Sequence, residues 1–448
     1  MGLGKQLFGT DGIRGVAGQR PLDPKTVYAF GVALAEDAAR AKPSPEILIG
    51  SDTRESGQWI AEAAAGGMVR AGARVRFAGV VTTPGVAYLT RTGPFAAGLM
   101  ISASHNPYLD NGLKVFAHDG FKLPDAEEAG IERRIFEIRE SGGAPQPHSL
   151  AVDESLDGAY LEFLASTVSA RFDGWKIALD CGNGSAYRLA PALFEQLGAE
   201  TIAIGVSPDG RNINLGCGSL HVEKLSEAVL RHEADFGVAF DGDADRAIFV
   251  SRAGKTVNGD GVLLACARAM KTDGTLRGDT VVSTVMSNLG LEKALERAGI
   301  RMLRTPVGDK YVLEEMVRTG ASLGGEQSGH IIFRDYATTG DGILTALRLF
   351  EISLRAGVGL DELTADLLVY PQRLVNVRVR ERKDLAQAPT VAAEIRRAED
   401  SLAGAGRVLV RYSGTEPLAR VMVEAADADS VERFSASIAE AIRKELGE

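Results

Sequence analysis

The chain has 448 residues, too many for one hydrophobic core, and this length predicts roughly three or four domains. Its residues are 45% hydrophobic and 25% charged, and its 52 glycines follow no collagen-like period, which excludes fibrous and disordered classes. The formal net charge is −10 without any block of basic residues, which argues against nucleic acid or an anionic membrane as the main partner.

The cysteines and the N-terminus bear on the kind of stabilising site and on the cellular compartment that we expect. Cys181, Cys217 and Cys266 are scattered and form no CxxC pair, which argues against a disulfide framework or a zinc site. The N-terminus has no apolar leader, and no run of about 18 apolar residues occurs anywhere. We therefore expect a cytoplasmic protein with no membrane partner.

Short apolar runs alternate with amphipathic stretches along most of the chain. The runs at 46–50, 176–180 and 201–204 predict buried strands, and the stretches at 58–71 and 190–198 predict helices. This alternation is typical of α/β layers with mixed or parallel sheets.

One pattern recurs three times in the chain. In each copy a strand of small residues runs into a polar loop, and an apolar strand follows. The copies are 96–104 with 112–116, 234–242 with 247–250, and 321–329 with 330–333. Three related α/β units, each offering one loop, explain the pattern, although any α/β protein also produces strand–loop–strand segments.

The C-terminal part has a different character. Residues 374–380 alternate strictly, as a half-exposed strand does, and the last helix carries an apolar face from Val431 to Ile442. Between them we expect a helix at 391–402 and strands at 407–411 and 420–424, which together form a small α+β domain. The predicted domains are 1–152, 153–256, 257–370 and 371–448.

The sharpest local signal is Asp241-Gly-Asp-Ala-Asp-Arg246, directly after an apolar strand. Carboxylates at alternate positions, Asp241, Asp243 and Asp245, can converge on one hard cation. An EF-hand is excluded because its sixth position is Arg246 rather than glycine and its twelfth is Arg252 rather than glutamate. The other interpretation is a solvated acidic turn, but the buried strand in front of the loop favours a metal site.

A second polar loop places Ser104 beside His105 and ten residues before Lys114. A serine hydroxyl becomes a useful nucleophile only when a neighbour takes its proton or a cation assists it. Ser-His-Asn-Pro is also an ordinary turn composition. The Gly-x-Ser-x-Gly motif is absent, so an α/β-hydrolase is not indicated.

The segment 411–420 has arginines at both ends of a loop rich in hydroxyls and backbone N–H groups. These residue types suit a phosphate, although a glycine-bearing hairpin facing solvent has the same composition. The candidate anion-binding residues are Arg411, Ser413, Gly414, Thr415 and Arg420. Walker, GxGxxG and HExxH motifs are absent, which argues against ATPases, dehydrogenases and zinc proteases.

Taken together, five motifs along the whole chain resemble the α-D-phosphohexomutase superfamily and, within it, the bacterial phosphoglucosamine mutases. They lie at 8–15, 102–107, 241–246, 325–330 and 411–420. The resemblance implies four domains around a central cleft, namely three related α/β domains with mixed sheets and a smaller C-terminal α+β domain. It also suggests a homodimer.

The resemblance assigns roles to the candidate residues. Ser104 is similar to the family's phosphoserine, with Ser102 as the competing assignment. The aspartates of 241–246 resemble the ligands of one Mg²⁺, completed by an oxygen of the Ser104 phosphate. The family's groups around the reacting phosphate have counterparts here in Arg14, His105, Lys114 and Arg246.

The same resemblance places the substrate-binding groups in the last two domains. Glu326, Ser328 and His330 resemble the readers of the sugar hydroxyls, and the candidate anion-binding residues of 411–420 resemble the clamp on the phosphate that does not react. Two positions depart from the family pattern. Tyr412 stands where proline is frequent, and Ala244 stands where glycine is frequent.

The implied activity is the interconversion of glucosamine 6-phosphate and glucosamine 1-phosphate, with a sugar 1,6-bisphosphate as intermediate and activator. This reaction would supply UDP-N-acetylglucosamine for cell-wall synthesis. Gln327 stands where mannose and glucose enzymes typically have methionine, which favours the amino sugar over the alternative, a phosphomannomutase/phosphoglucomutase. The alternative from another functional class is a magnesium-dependent phosphatase or a non-catalytic relative. A simple phosphatase has no need of a second phosphate site.

Overall fold

The structure, a computed structural model, describes residues 6–9, 11–142, 144–413 and 417–447. They form two units. The first runs through Met286 and includes Ile300–Ala365, and the second consists of Ser287–Gly299 with the chain from Asp366 onward. Among the described helices, none combines the length and the apolar character that crossing a membrane requires.

The first unit begins with a six-stranded sheet in the order β1-β2-β6-β5-β3-β4. Asp23 starts the first helix by accepting backbone N–H groups of that helix, with Pro24 at its first position. The elements are β1 Phe8–Gly9, β2 Gly12–Val16, α1 Pro24–Ala41, β3 Glu46–Ser51, α2 Gly57–Arg70, β4 Arg74–Val80, α3 Thr83–Thr92, β5 Ala97–Ile101, β6 Asp110–Ala117 and α4 Asp125–Ser141.

A five-stranded sheet follows, in the order β11-β10-β9-β7-β8. Every residue of its strand Phe236–Phe240 is buried, as the run Phe-Gly-Val-Ala-Phe predicts. The elements are α5 Ser155–Ser166, β7 Lys176–Asp180, α6 Ala186–Gln196, β8 Glu200–Ile204, α7 Glu223–His232, β9 Phe236–Phe240, β10 Ala247–Ser251 and β11 Thr256–Val257.

The third sheet of the first unit has the order β13-β12-β14-β15. One helix of this stretch of sequence, α9, belongs to the second unit. The elements are α8 Gly259–Thr272, β12 Thr280–Thr284, α9 Leu289–Arg297, β13 Arg301–Thr305, α10 Asp309–Thr319, β14 Leu323–Gly325, β15 Ile331–Phe333, α11 Gly342–Ala356 and α12 Leu360–Leu363.

The second unit contains a three-stranded antiparallel sheet in the order β16-β18-β17. The apolar face predicted for the last helix packs against this sheet, with Phe434, Ile438 and Ile442 in the core. The elements are β16 Gln372–Arg378, α13 Pro389–Leu402, β17 Gly406–Tyr412, β18 Leu418–Ala425 and α14 Ala428–Leu446.

The three sheets of the first unit share one plan. In each, a central strand pairs in parallel with two neighbours, and one of these neighbours then forms an antiparallel hairpin. The hairpins are β5–β6, β9–β10 and β14–β15. The predicted fold class, three related α/β domains with mixed sheets and a smaller C-terminal domain, is confirmed. The recurrent loops of the sequence are the connections of these three hairpins.

Candidate active site

The β5–β6 connection holds Ser104 in a left-handed backbone conformation, with φ of 53°. Its hydroxyl donates to Asp241 Oδ2 at 2.5 Å. Ser102 behaves differently, because its hydroxyl donates to Asp52 Oδ2 at 2.5 Å and accepts the backbone N–H of Ser104 at 2.9 Å. Of the two serines, Ser104 therefore directs its hydroxyl at the aspartate loop, whereas the Ser102 hydroxyl supports the conformation of its own loop.

The β9–β10 connection gathers the three predicted aspartates. Asp241, Asp243 and Asp245 are buried, and each offers an oxygen atom within 4.8 Å of the others. Ala244 lies between them with φ of 56°, a conformation that glycine adopts without steric cost. This explains why a glycine is tolerated or preferred at this position.

The electrostatics of the cluster favour a cation. Burial raises the pKa of Asp241 well above its usual value, and repulsion from Asp245 and Asp243 raises it further. Within the described chain, Asp243 Oδ1 and Asp245 Oδ1 are buried without a hydrogen-bond partner. Buried carboxylate oxygens that converge without donors are the ligands that a hard divalent cation takes in proteins. The residues present therefore fit Mg²⁺.

Lys114, on β6, supplies positive charge beside this cluster. Its ammonium lies 2.7 Å from Asp243 Oδ2, 3.3 Å from Asp245 Oδ2 and 3.2 Å from Asp11 Oδ2. Burial alone would lower the pKa of Lys114, but the three carboxylates outweigh it and raise the pKa well above its usual value. Lys114 is therefore a fixed cation and hydrogen-bond donor rather than a base.

Ion pairs continue from Lys114 into the third sheet's loops. Asp11 accepts from Arg14 at 2.5 Å and from Lys122 at 2.6 Å. Lys122 also contacts Asp309 Oδ2 at 2.5 Å, which lies 3.6 Å from His330 Nε2. Asp11, Lys122 and Asp309 are not among the site residues that the sequence motifs predicted. The signal that could have found Asp11 was its place inside the motif at 8–15, beside Arg14.

His105 lies between the serine and an arginine. Its Nδ1 is 3.2 Å from Ser104 Oγ and 3.1 Å from Arg246 Nη1. Because a guanidinium only donates, Nδ1 is the acceptor and the ring hydrogen resides on Nε2. Burial, followed by the positive charges of Arg246 and Arg14, lowers the pKa of His105 to about 4. The imidazole is therefore neutral at pH 7 in this arrangement.

The β14–β15 connection carries the third group of predicted site residues. Glu326 Oε1 accepts the backbone N–H of Gly308 at 3.1 Å, and Glu326 Oε2 accepts from the Ser328 hydroxyl at 3.3 Å. His330 is buried, and its Nε2 accepts the backbone N–H of Gly340 at 3.2 Å. Glu326 and His330 are thus held by backbone N–H groups, and Ser328 is held by Glu326, so the three side chains present a fixed set of acceptors and donors.

A cavity of about 400 Å³ lies among these loops in the first unit. It brings together predicted site residues from all three hairpin loops and from the β2 motif, namely Arg14, His105, Asp245, Arg246, Glu326 and His330. Its volume suits a small polar ligand. Its lining combines two guanidinium groups, those of Arg14 and Arg246, with the carboxylates of Asp11, Asp245, Asp309 and Glu326.

The predicted phosphate clamp belongs to the second unit. Arg411 on β17 is directly opposite Arg420 on β18, and Arg420 Nη2 donates to Ser413 Oγ at 3.4 Å. Burial, followed by repulsion from Arg420, lowers the pKa of Arg411. Two adjacent guanidinium groups beside a hydroxyl are suited to an anion. Gly414 and Thr415 lie outside the described residues.

Comparison with known proteins gives one family along the chain. The alpha/beta/alpha domains I, II and III of phosphoglucomutase/phosphomannomutase match residues 5–142, 158–254 and 258–370, and the C-terminal domain of the same family matches 374–441. The chain is 70% identical over 446 residues to a phosphoglucosamine mutase of Solibacter usitatus, covering 100% of both proteins. It is 52% identical to that of Koribacter versatilis, covering 99% of this chain and 98% of the relative.

Solved structures share the fold. A phosphoglucomutase/phosphomannomutase family protein from Burkholderia thailandensis superposes with a TM-score of 0.81 at 24% identity, covering 98% of this chain and 97% of that chain. The N-acetylphosphoglucosamine mutase of Aspergillus fumigatus, in complex with GlcNAc-6P and magnesium, gives a TM-score of 0.65 at 18% identity over 98% of this chain and 96% of that one.

The environment of His105 predicts a measurable pH effect. In protein treated with EDTA and phosphatase, its imidazole should titrate with a pKa of about 4. Since the unfolded chain takes up this proton near pH 6.5, the histidine lowers stability as the pH falls from 6.5 towards 4. An NMR titration of the His105 ring, with the urea-unfolded protein as control, checks the value. A pKa at or above 6.5 in the folded protein would contradict the described contacts with Arg246.

Proposed function

The chain belongs to the phosphoglucosamine mutases of the α-D-phosphohexomutase superfamily and is a mutase, and on this premise we propose that it interconverts glucosamine 6-phosphate and glucosamine 1-phosphate through a phosphorylated Ser104. The observation that carries the proposal is the contact between the Ser104 hydroxyl and Asp241 in the three-aspartate cluster. The product would enter the synthesis of UDP-N-acetylglucosamine and of the cell wall.

The proposed reaction has two phosphoryl transfers. The free hydroxyl oxygen of a sugar monophosphate attacks the phosphorus of phosphorylated Ser104, the bond between phosphorus and Oγ breaks, and a sugar 1,6-bisphosphate forms. The bisphosphate then turns over while it stays bound. Ser104 Oγ attacks the phosphorus of its other phosphoryl group, the bond between that phosphorus and the sugar oxygen breaks, and the phosphoserine is regenerated beside the isomeric monophosphate. The proton that the sugar hydroxyl loses in the first transfer passes to Ser104 Oγ, and it returns to the released sugar oxygen in the second.

Charged side chains around Ser104 support this chemistry. Bound at Asp241, Asp243 and Asp245, Mg²⁺ supplies positive charge that stabilises the transferring phosphoryl group. Lys114 is held protonated, so we assign it hydrogen bonds to the phosphoryl oxygens. Arg14 and His105 line the same cavity, where Arg14 adds a second cation and the Nε2–H of His105 a neutral donor.

The remaining residues are proposed to bind the substrate. The sugar and the end of it that reacts are bound by Arg246, Glu326, Ser328 and His330. The clamp around Arg411 and Arg420, with Ser413, Gly414 and Thr415, holds the spectator phosphate. Paired arginines and hydroxyl groups accept a phosphate in more than one orientation, as a bisphosphate that turns over requires. The relative from Aspergillus fumigatus in complex with GlcNAc-6P and magnesium supports a phosphosugar and Mg²⁺ as partners of this site.

Two rivals are less well supported. A simple phosphatase would transfer the phosphoryl group to water and has no use for the guanidinium pair of Arg411 and Arg420. A phosphomannomutase/phosphoglucomutase would use the same machinery with another sugar, and full-length identity to phosphoglucosamine mutases favours the amino sugar.

We expect Ser104→Ala to remain folded and to lose mutase activity by more than ~10⁴-fold, because the variant lacks the hydroxyl that lies against Asp241 and receives the phosphoryl group in the proposed reaction. Intact-mass measurement should show the added phosphoryl group on the wild type and not on the variant. Ser102→Ala is the matched control and should still be phosphorylated. Phosphate mapped to Ser102 in the wild type would contradict the assignment.

We expect Asp243→Asn to weaken Mg²⁺ binding at least ~10-fold, because it removes one of three converging carboxylates. Direct binding can be followed calorimetrically, or by the electron paramagnetic resonance of Mn²⁺. Asp180→Asn is the matched control, since Asp180 is equally buried in the same sheet but lies outside the three-aspartate group and accepts the backbone N–H groups of Gly182 and Gly218. Full activity in excess EDTA, or an unchanged titration of the Asp243 variant, would refute the metal site.

Substrate choice is tested by comparing kcat/KM for glucosamine 6-phosphate, glucose 6-phosphate and mannose 6-phosphate on the phosphorylated enzyme. We expect a preference of about 10-fold or more for the amino sugar, because a polar site discriminates against substrates that leave its groups unpaired. Gln327→Met should reduce the preference, since the amide beside Glu326 is lost. Equal or better turnover of glucose or mannose phosphate would leave only the broader mutase activity standing.

A further inference from the structure

The backbone of Ser104 is held from outside its own loop. Its φ of 53° lies in the left-handed region, which costs a residue with a Cβ about 1 kcal/mol or more. A serine keeps this conformation only when surrounding contacts impose it. The conformation matters because it determines where Oγ points, and Oγ here contacts Asp241.

Two donors from different parts of the first unit converge on the same two carbonyl groups. Arg54 Nη2, which follows β3, donates to the carbonyls of Ser104 at 3.1 Å and of Asn106 at 2.6 Å. Asn214 Nδ2, from the loop between β8 and α7, donates to the same carbonyls at 3.0 and 3.4 Å. Since both partners are carbonyl oxygens, the Asn214 atom facing them must be the amide nitrogen.

Neighbouring residues make room for this arrangement and anchor it. A Cβ on Gly242 would lie 2.5 Å from the Ser104 carbonyl oxygen and 2.9 Å from Asn214 Nδ2, so only glycine leaves space for both groups. Arg54 is fully buried and pairs with Asp52, which also accepts the Ser102 hydroxyl. Arg54 is thus fixed by the first sheet, whereas Asn214 reaches over from the loops of the second sheet, which also provides Asp241.

We propose that Asn214, together with Arg54, is a positioning residue that holds the Ser104 backbone so that its Oγ, or the phosphoryl group on it, faces the aspartate cluster. Asn214 links the serine loop to the sheet that carries the aspartates, so it fixes one reacting group relative to the other. The inference rests on the proposed role of Ser104 and extends it to a residue that touches neither the reacting atoms nor the metal ligands.

Asn214 offers a cleaner test than Arg54, because truncating Arg54 leaves the buried carboxylate of Asp52 unpaired. Asn214→Ala removes the donor, and Asn214→Asp replaces it with an isosteric acceptor that repels the two carbonyls. The matched control is Asn212→Ala, two residues earlier, whose side chain is hydrogen-bonded to the backbone of Ser207 and Asp209 in its own loop.

The variants are assayed as full chains with Mg²⁺ and saturating sugar 1,6-bisphosphate, so that initial phosphorylation is not limiting. Misplacing a reacting group by about 1 Å costs on the order of 100-fold, so kcat should fall between ~10- and ~100-fold for Asn214→Ala with little change in KM. Asn214→Asp should lose more than Asn214→Ala, while Asn212→Ala keeps the wild-type kcat. The unfolding temperatures of the variants should not follow the order of their kcat values. A residue with a merely structural role would lower the unfolding temperature without lowering kcat selectively over KM.

The proposal is overturned if Asn214→Ala has the kcat of Asn212→Ala, or if its loss appears in KM alone. If Asn214→Ala fails to fold, Asn214→Asp decides, and a wild-type kcat in that variant also overturns the proposal. Ser104→Ala in the same assay distinguishes failure of the proposed phosphoserine function from failure of the proposed role of Asn214. Activity in Ser104→Ala would remove the proposed function itself, whereas an inactive Ser104→Ala beside fully active Asn214 variants would remove only the positioning role.

Discussion

Three buried carboxylates within 4.8 Å of one another are the constraint on which the rest of the site depends. Like charges without solvent repel strongly, and the raised pKa of Asp241 reflects this repulsion together with burial. The described structure offsets it in part with Lys114 and Arg246. Among the described residues, Asp243 Oδ1 and Asp245 Oδ1 accept no hydrogen bond, so both oxygens remain available to one further cation. A phosphoryl group that enters this region meets positive charge already in place, which is what phosphoryl transfer requires.

The repeated hairpin explains how three distant segments reach one cavity. Each sheet of the first unit ends its parallel part with a strand that turns back antiparallel, and each turn carries one set of polar side chains. The serine loop, the aspartate loop and the Glu326 loop are thus equivalent positions in three copies of one plan. Strands whose residues are nearly all buried hold each turn at a fixed place. Reacting groups on such turns need little reorganisation before transfer.

Ion pairs and hydrogen bonds then connect these loops. Lys114 joins the aspartate cluster to Asp11, and Lys122 joins Asp11 to Asp309 beside the Glu326 loop. Pairs that are largely shielded from solvent contribute little net stability but are costly to break, so they fix the loops in one arrangement. The Ser104 loop is held in the same manner, by the buried Arg54 and the half-buried Asn214, which donate to its carbonyl groups.

Sequence patterns alone were sufficient to predict the fold class and the identity of the chemical groups. Period-2 and apolar runs located strands such as β7, predicted and found at Lys176–Asp180, and the five motifs named the family. Helix α6 begins earlier than its apolar pattern predicted, at Ala186 rather than near 190, because tertiary packing rather than periodicity sets helix ends. The domain boundaries, the roles of the site residues and the homodimer stay predictions.

The folded chain was needed to show which serine faces the aspartates and which further residues surround the site. Ser102 and Ser104 are indistinguishable by local composition, and what separates them is the contact between Ser104 and Asp241, 137 residues away in the sequence. For the same reason, the sequence motifs did not predict the contacts made by Asp11, Lys122, Asp309, Arg54 and Asn214. A charge or an amide acquires its role from partners that the fold brings within about 3 Å, and spacing along one chain does not encode that distance.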